Sequence, residues 1–487
     1  MIPARHIAAT LAAAACAVGL LAFLPAPYGG KVVAPLPDQP VTLDPALATR
    51  QSELQIISLL YDPLYRVDAA GTPRPNLVLP DPEISNEGLT WTLKLRPGLK
   101  LSNGAPLRLA HVVASLQRVT RGPNAHLLAP VRGIGAPGTG ELVITLRAPT
   151  PHLPLLLSAP TTGVAVGQGK ALLGTGPFRL TRASGGIIKL SPNLGHHAGR
   201  PYLDQLTLQT FARASNEAAA FQAGAIHVSM HGASLFGGAQ RQVTASAASP
   251  ACATLFLGVG KEPAYLADPQ VRLALSTAVD RSRLARLAGG GKQAVARGPV
   301  CPSLMGKRRA RKTPLPFDRD SAKRLLRRAM ARLGSLGQAT AAGARPRLEL
   351  LVDASRPEDR ALAELIVADL DQLGLSARIT VRVAAEYQAR LQSGSYELVL
   401  GRLTPQVPLA AAILASALAL GGDLDGARRC LAGKPCGRRQ ESIFLKKLPL
   451  VPLLHTATQV FHDARLDGLR GDGLGLINYA DMHWVRR

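Results

Sequence analysis

Apolar residues Leu89, Trp91, Leu93 and Leu95 alternate with Thr90, Thr92 and Lys94, the period-2 pattern of a half-buried strand. Pro97-Gly98 interrupts the pattern, Leu99 and Leu101 resume it, and Asn103-Gly104 turns the chain again. A helical pattern then runs from about Arg108 to Thr120, so the segment reads as two strands feeding a helix. Upstream, Leu54, Ile57, Leu60, Tyr61 and Leu64 form a helix stripe; downstream, Leu142 to Leu146 and Ile187 to Leu190 read as short strands. Asp268-Pro269 suits a helix start: Asp accepts from the open N–H groups of the first turn, and Pro lacks only a donor that has no partner there. Val271, Ala274, Leu275 and Ala278 are the buried stripe of that helix, and Asp280 stands as the next cap.

Further along, Leu348, Leu350 and Val352 alternate as a strand, and Leu362, Leu365, Ile366, Leu370 and Leu373 follow as a helix stripe ended by Gly374. Ile379, Val381 and Val383 form a second strand, a helix covers about Glu386 to Gln392, and a third strand runs from Tyr396 to Leu400. The order β-α-β-α-β calls for parallel strands with right-handed crossovers. Ligands in such sheets sit beyond the carboxyl ends of the strands. Gly401-Arg402-Leu403-Thr404-Pro405 leaves the third strand there and is expected to line a cleft.

The chain has 487 residues, 47% of them hydrophobic and 18% charged, a globular composition with room for more than one core. Its formal net charge is +25, but the basic residues are dispersed and only 4% are aromatic. Single-strand nucleic-acid binding needs aromatic platforms beside the charge, so no nucleic-acid partner is expected. The densest basic run, Lys307 to Lys312, reads as an exposed loop. At the N-terminus, Ala8 to Leu24 is apolar and uncharged and ends at Pro25-Ala26-Pro27, as in an export segment. Cleavage, lipidation at Cys16 and an uncleaved anchor all stay open. Cys252, Cys301, Cys430 and Cys436 suit two disulfides of an exported chain, with three pairings available. A short Cys430–Cys436 loop is the simplest, and Cys252–Cys301 follows only by elimination.

Several segments, in order, resemble the extracytoplasmic family 5 solute-binding proteins, the peptide- and nickel-binding subunits of bacterial ABC importers. Leu43-Asp44-Pro45-Ala46 is similar to the family's "lDPa", and Leu89 to Leu107 to its "tyTfkLR.gvkfsdG.p". Gly174-Thr-Gly-Pro-Phe178 resembles "GTGPY", Arg200-Pro-Tyr-Leu-Asp204 resembles "rpylD", and DPQVRLALSTAVDRSRL from Asp268 resembles "d.rVRqAls.aiDr..l". The resemblance covers roughly Leu43 to Leu403. It implies an α/β, two-lobed periplasmic-binding-protein-like fold of type II, with an extra subdomain in lobe 1 and lobes joined by hinge strands. The expected division is 1–30 for export or anchoring, 31–65, 165–245 and 460–487 for the lobe 1 core, 66–164 for the extra subdomain, and 246–459 for lobe 2.

By the same resemblance, the function is capture of an oligopeptide-like or other small solute and delivery to a membrane permease and its ATPase, by an extracytoplasmic, monomeric binding subunit. No enzyme motif stands out: there is no G-x-S-x-G elbow, no H-E-x-x-H and no phosphate loop. A transport-defunct, membrane-associated binding or sensor protein of the same fold, or a secreted hydrolase, are the alternatives. Candidate ligand-binding residues are Arg402, Thr404, Gln406, His231, Gly258, Thr49 and Arg50. Peptide-binding relatives carry a Trp near Arg402 and then an Asp for the peptide amine, yet no acidic residue stands between Glu397 and Asp423 here. An ammonium facing Arg402 alone would be repelled by a few kcal/mol. The expected ligand is therefore anionic or amine-blocked, with Arg402 clamping a carboxylate or phosphate; an Arg402 that points to solvent or pairs with a neighbouring acid is the competing reading. Relatives tend to have Asn where Gly258 to Gly260 stand. His196-His197, His227 and His231 lack Cys or carboxylate partners at ligand spacing, so no metal site and no cofactor is expected.

Overall fold

The computed structural model describes residues 28–138, 140–167, 169–231, 244–249, 252–288, 294–305, 316–335, 346–433, 436–472 and 474–485. The export segment up to residue 27 and the basic run at Lys307 to Lys312 lie outside these residues.

The chain opens with β1 (Lys31–Pro35) and α1 (Gln51–Leu60). Pro63 disfavours helical backbone at Asp62, and Tyr61 already caps α1 in an extended conformation, so Leu64 falls outside the expected helix. The chain then builds a small sheet from β2 (Glu83–Ser85), β3 (Thr90–Lys94), β4 (Val131–Gly135) and β5 (Glu141–Leu146), covered by α2 (Leu109–Val119). Trp91 and Leu93 enter its core with Val112 and Leu116 of α2. The second strand expected at Leu99–Leu101 is not formed. Leu107 N–H donates to Leu99 O at 2.9 Å and Leu101 N–H to Ala105 O at 2.8 Å, closing a tight loop about Asn103-Gly104 with one isolated bridge, Lys100 to Pro106.

β6 (Phe178–Ser184), β7 (Ile187–Pro192) and β8 (Gln205–Gln209) return to β1 and complete a four-stranded sheet over the described residues, in which β8 lies parallel to β1. The Gly174–Gly176 loop lies on the end of α1. A Cβ at Gly174 would stand 2.0 Å from Leu60 O, so only glycine permits that approach.

The second lobe is a six-stranded sheet over the described residues. β9 (Ala253–Val259) is followed by α3 (Pro269–Ala278), whose Asp268 cap accepts from Gln270 N–H at 2.7 Å, and Asp280 caps the next helix as expected. β10 (Arg347–Asp353), α4 (Glu358–Leu373), β11 (Ser376–Arg382), α5 (Ala384–Ser393) and β12 (Leu398–Leu403) form the βαβαβ unit, with β11 and β12 both parallel to β10. Gly374 ends α4 at φ +94°. β12 extends beyond its expected end because it also pairs antiparallel with β9, Leu255 opposite Arg402. Arg402 thus belongs to the strand, and Gly401 leaves room for the Phe256 ring. After α6 (Ala410–Leu420) and α7 (Leu424–Leu431), β13 (Leu450–Thr456) pairs with the other edge of β9. The sheet is buried on both faces. Leu348, Leu350 and Val352 of β10 enter one core with α3 and α4, while Leu351 enters the other with α5 and α6. Disulfides join Cys252 to Cys301 and Cys430 to Cys436, Cα atoms 5.0 and 4.7 Å apart.

β14 (Gln459–Asp463) pairs with Thr244–Ala248 and Val228–Ser229 and packs Val460 into the first lobe's core, and Ser249 N–H donates to Thr458 O at 2.9 Å beside it. No helix among the described residues is long and apolar enough to cross a membrane.

Candidate functional site

A cavity of about 480 Å³ lies between the lobes, at the carboxyl ends of β10 and β12. That is where an open parallel sheet binds ligands, and the volume suits a small solute.

The first lobe contributes the loop before α1. Buried Glu53 reaches back to it, accepting from Val41 and Thr42 N–H through one oxygen and from Thr49 and Arg50 N–H through the other, at 2.8–3.0 Å. This fixes Thr49 and Arg50 at the helix start. Arg50 donates to Asp353 at 2.5 Å and to Ser355 Oγ at 2.8 Å, and its Nε lies 3.4 Å from Asp38. Asp38 also pairs with Arg356. The two ion pairs cross the cleft in opposite senses: Arg from the first lobe to Asp of the second, and Arg of the second to Asp of the first. Burial pushes the Asp38 carboxyl up, but Arg356 and Arg50 outweigh it and hold it below the ordinary carboxylate range. Thr49 Oγ1 accepts from Gln388 at 2.7 Å, and Gln406 donates to Asn124 Oδ1 at 2.8 Å and accepts from Thr161. His126 meets Ser416 Oγ of α6 at 2.8 Å, and burial pushes its imidazole down to about 4, leaving it neutral. Beside it, Leu127, Leu156 and Ala159 share a core with Ala411, Ala415 and Leu418 of the Ala-rich α6.

The geometry separates the candidate residues. Thr49, Arg50, Arg402, Thr404 and Gln406 all line the cavity. Gly258 and His231 are not on its described wall. Gly258 lies inside β9, where an added Cβ would stand 2.5 Å from Val399 Cγ1, and His231 Nδ1 lies 2.7 Å from Glu217. Of the two readings of Arg402, the structure has the pairing one: its guanidinium binds Asp359, in the first turn of α4. The repulsion expected between Arg402 and a ligand ammonium is therefore offset by a carboxylate absent from its own sequence neighbourhood. Asp359 Oδ1, buried on the same wall, has no hydrogen-bond partner among the described residues and can accept from a ligand N–H or O–H.

Sequence reasoning missed Asp38, Asp353, Arg356 and Asp359, and also Lys261 and Arg272 near the amino end of β12. Arg272 donates to Leu266 O at 2.7 Å and Gly260 O at 3.2 Å. Arg272 and Lys261 have no ion-pairing carboxylate among the described residues, and burial holds the Arg272 guanidinium below its usual range. Among the described residues, Arg428, on α7, pairs only with the exposed Asp425, at 3.4 Å.

The sequence profile of the bacterial extracellular solute-binding proteins, family 5, matches residues 44–423. The glutathione-binding protein GsiB of Salmonella typhimurium is 28% identical over 339 residues, covering 66% of this chain and 65% of the relative's own length. The Bacillus subtilis oligopeptide-binding protein AppA, solved with a nonapeptide, superposes with a TM-score of 0.79 at 16% identity, covering 95% of this chain and 100% of AppA. The Escherichia coli murein tripeptide binding protein MppA gives 0.78 at 19%, covering 94% and 99%. Since the profile spans most of the chain and the two-lobed fold agrees with both structures, the chain belongs to the family 5 bacterial extracellular solute-binding proteins.

Proposed function

We propose that this chain is the extracytoplasmic substrate-binding subunit of an ABC importer, which closes on a small anionic, peptide-like solute in the interlobe cavity and presents it to a membrane permease. The observation that carries the charge of the solute is the wall itself. Among the described residues, Arg50, Lys261, Arg272, Arg356, Arg402 and Arg428 face only three carboxylates, Asp38, Asp353 and Asp359. The three carboxylates are already engaged with Arg50, Arg356 and Arg402. The remaining cations have no counter-charge on the wall, and a ligand carboxylate supplies it. Glutathione, named for the GsiB relative, is a tripeptide of net negative charge and obeys the same logic.

The chemistry needed is binding and closure. The pairs Arg50–Asp353 and Asp38–Arg356 span the lobes and hold the closed arrangement. Isothermal titration of the purified protein with glutathione, acidic dipeptides and neutral free-amine dipeptides tests the reading. Saturable binding is expected for the acidic ligands and not for the neutral ones. Tight binding of the neutral dipeptides alone would overturn it.

A further inference from the structure

Away from the cavity, where α1 has ended, the fold brings Asp62 against the adjacent residues His196 and His197. Asp62 Oδ2 lies 3.3 Å from His196 Nε2 and 3.4 Å from His197 Nε2. The ligand atoms of all three lie within 4.8 Å of one another. We infer that Asp62, His196 and His197 form a binding site for a divalent transition-metal ion of the zinc class, separate from the solute cavity.

The distances carry the argument. A charge-assisted N–H···O bond settles near 2.7–2.9 Å, and both separations here are longer. An ion about 2.0–2.1 Å from imidazole nitrogen and carboxylate oxygen, with tetrahedral angles, sets its ligands about 3.3–3.4 Å apart. Both measured edges have that length. One carboxylate oxygen facing two ring nitrogens is also poor hydrogen-bond economy, since its second oxygen is left out of the arrangement; as three corners of a coordination shell it is ordinary.

The surroundings hold the donors in ligating form. His196 Nδ1 lies 3.1 Å from Gly199 O. A carbonyl only accepts, so Nδ1 carries a hydrogen, and Nε2, which faces Asp62, is the nitrogen left to an ion. This is the outer-shell bond that metal-binding histidines use to fix tautomer and ring orientation. Asp62 is held from both sides along its backbone: its N–H donates to Thr175 Oγ1 at 3.3 Å and its carbonyl accepts from Val164 N–H at 2.9 Å. The two rings stand 4.5 Å apart and tilted by 43°, which lets both nitrogens converge. The His197 side chain keeps 18% of its surface exposed and gives solvent access. Two imidazoles and one carboxylate favour zinc, nickel or copper over calcium or magnesium. None of the three residues lines the solute cavity, so this inference stands apart from the proposed function.

The bound ion would tie the 193–199 loop to the end of the helix whose other end holds Arg50. The test is titration of the chelator-stripped full chain with Zn²⁺. One equivalent should bind, with affinity reduced about 100-fold or more in Asp62→Asn and in His196→Gln, both checked for folding by circular dichroism, while solute binding stays unchanged. No saturable binding, or equal binding by both variants, would overturn the site. If either variant fails to fold, anomalous diffraction at the zinc edge from wild-type crystals decides. A peak among the three side chains supports the site, and a peak only elsewhere refutes it.

Discussion

The two ends of the cavity use cationic side chains in opposite ways. Near the carboxyl ends of β10 and β12, Arg50, Arg356 and Arg402 are deeply set, and each has an aspartate: Asp353 and Asp38, Asp38, and Asp359. Near the amino end of β12, Lys261 and Arg272 line the same cavity without an ion-pairing carboxylate among the described residues. An arginine that already holds a carboxylate has spent its field, and its loss is felt in stability. A cation without one keeps its field for the ligand, and its loss is felt in affinity. Residue type alone therefore does not identify a ligand contact; the counter-charge does.

Removing a shared carboxylate should break the compensated end outright. Asp38→Ala leaves two buried guanidiniums without their common partner, and loss of one member of a buried pair costs about 3–5 kcal/mol. The urea unfolding midpoint should fall accordingly, and an unchanged midpoint would show that the crossed pairs do not hold the lobes. The pH sign follows from the lowered folded-state value. The contribution of Asp38 is present above the unfolded carboxylate value of 3.8 and is lost as pH falls through the lower folded value.

His126 separates this acid effect from another. Its imidazole is buried at about 4 against 6.5 for the exposed group, so the unfolded chain binds more protons between those values. Stability should fall as pH drops from about 6.5 to about 4, by up to about 3 kcal/mol. His231, raised by its Glu217 partner against the opposing effect of burial, acts in reverse. Its stabilisation is full below 6.5 and is lost as pH rises through its folded value. The informative quantity is the difference between wild type and His126→Gln, which keeps a donor for Ser416. Parallel stability curves across this window would contradict the assignment.

Much of the scaffold was legible because its signals are local. The alternation in Leu348–Val352, the stripe from Leu362 to Leu373 and the Asp268 cap each lie within one element, and each formed. The strand expected at Leu99–Leu101 failed because period-2 spacing across Pro97-Gly98 and Asn103-Gly104 cannot distinguish a strand from a tight loop burying the same leucines. The rule of strand carboxyl ends points Arg402 and Thr404 to a cleft, and both line the cavity. What stayed hidden is long-range charge pairing. Asp38 and Arg356 are 318 positions apart, Arg50 and Asp353 are 303, and Asp62 and His196 are 134. No spacing rule links residues across such distances, so Arg402 looked unpaired and the histidines looked without a carboxylate.

The smallest expected effect is the sharpest test of the contrast. Lys261 is exposed, and its amine lies against Gly422 at the rim of the cavity. Lys261→Ala should leave the unfolding midpoint nearly unchanged, within about 0.5 kcal/mol. Affinity for an anionic solute should fall about tenfold, or about 1.4 kcal/mol, with a weaker dependence on salt because one screened attraction is gone. Arg272→Ala should lower both quantities, since Arg272 also supports the carbonyls of Leu266 and Gly260. Titration calorimetry beside urea unfolding distinguishes the two variants. If Lys261→Ala binds the anionic solute as tightly as wild type, its field is not directed at the ligand, and the division between a compensated end and a receptive one fails at that residue.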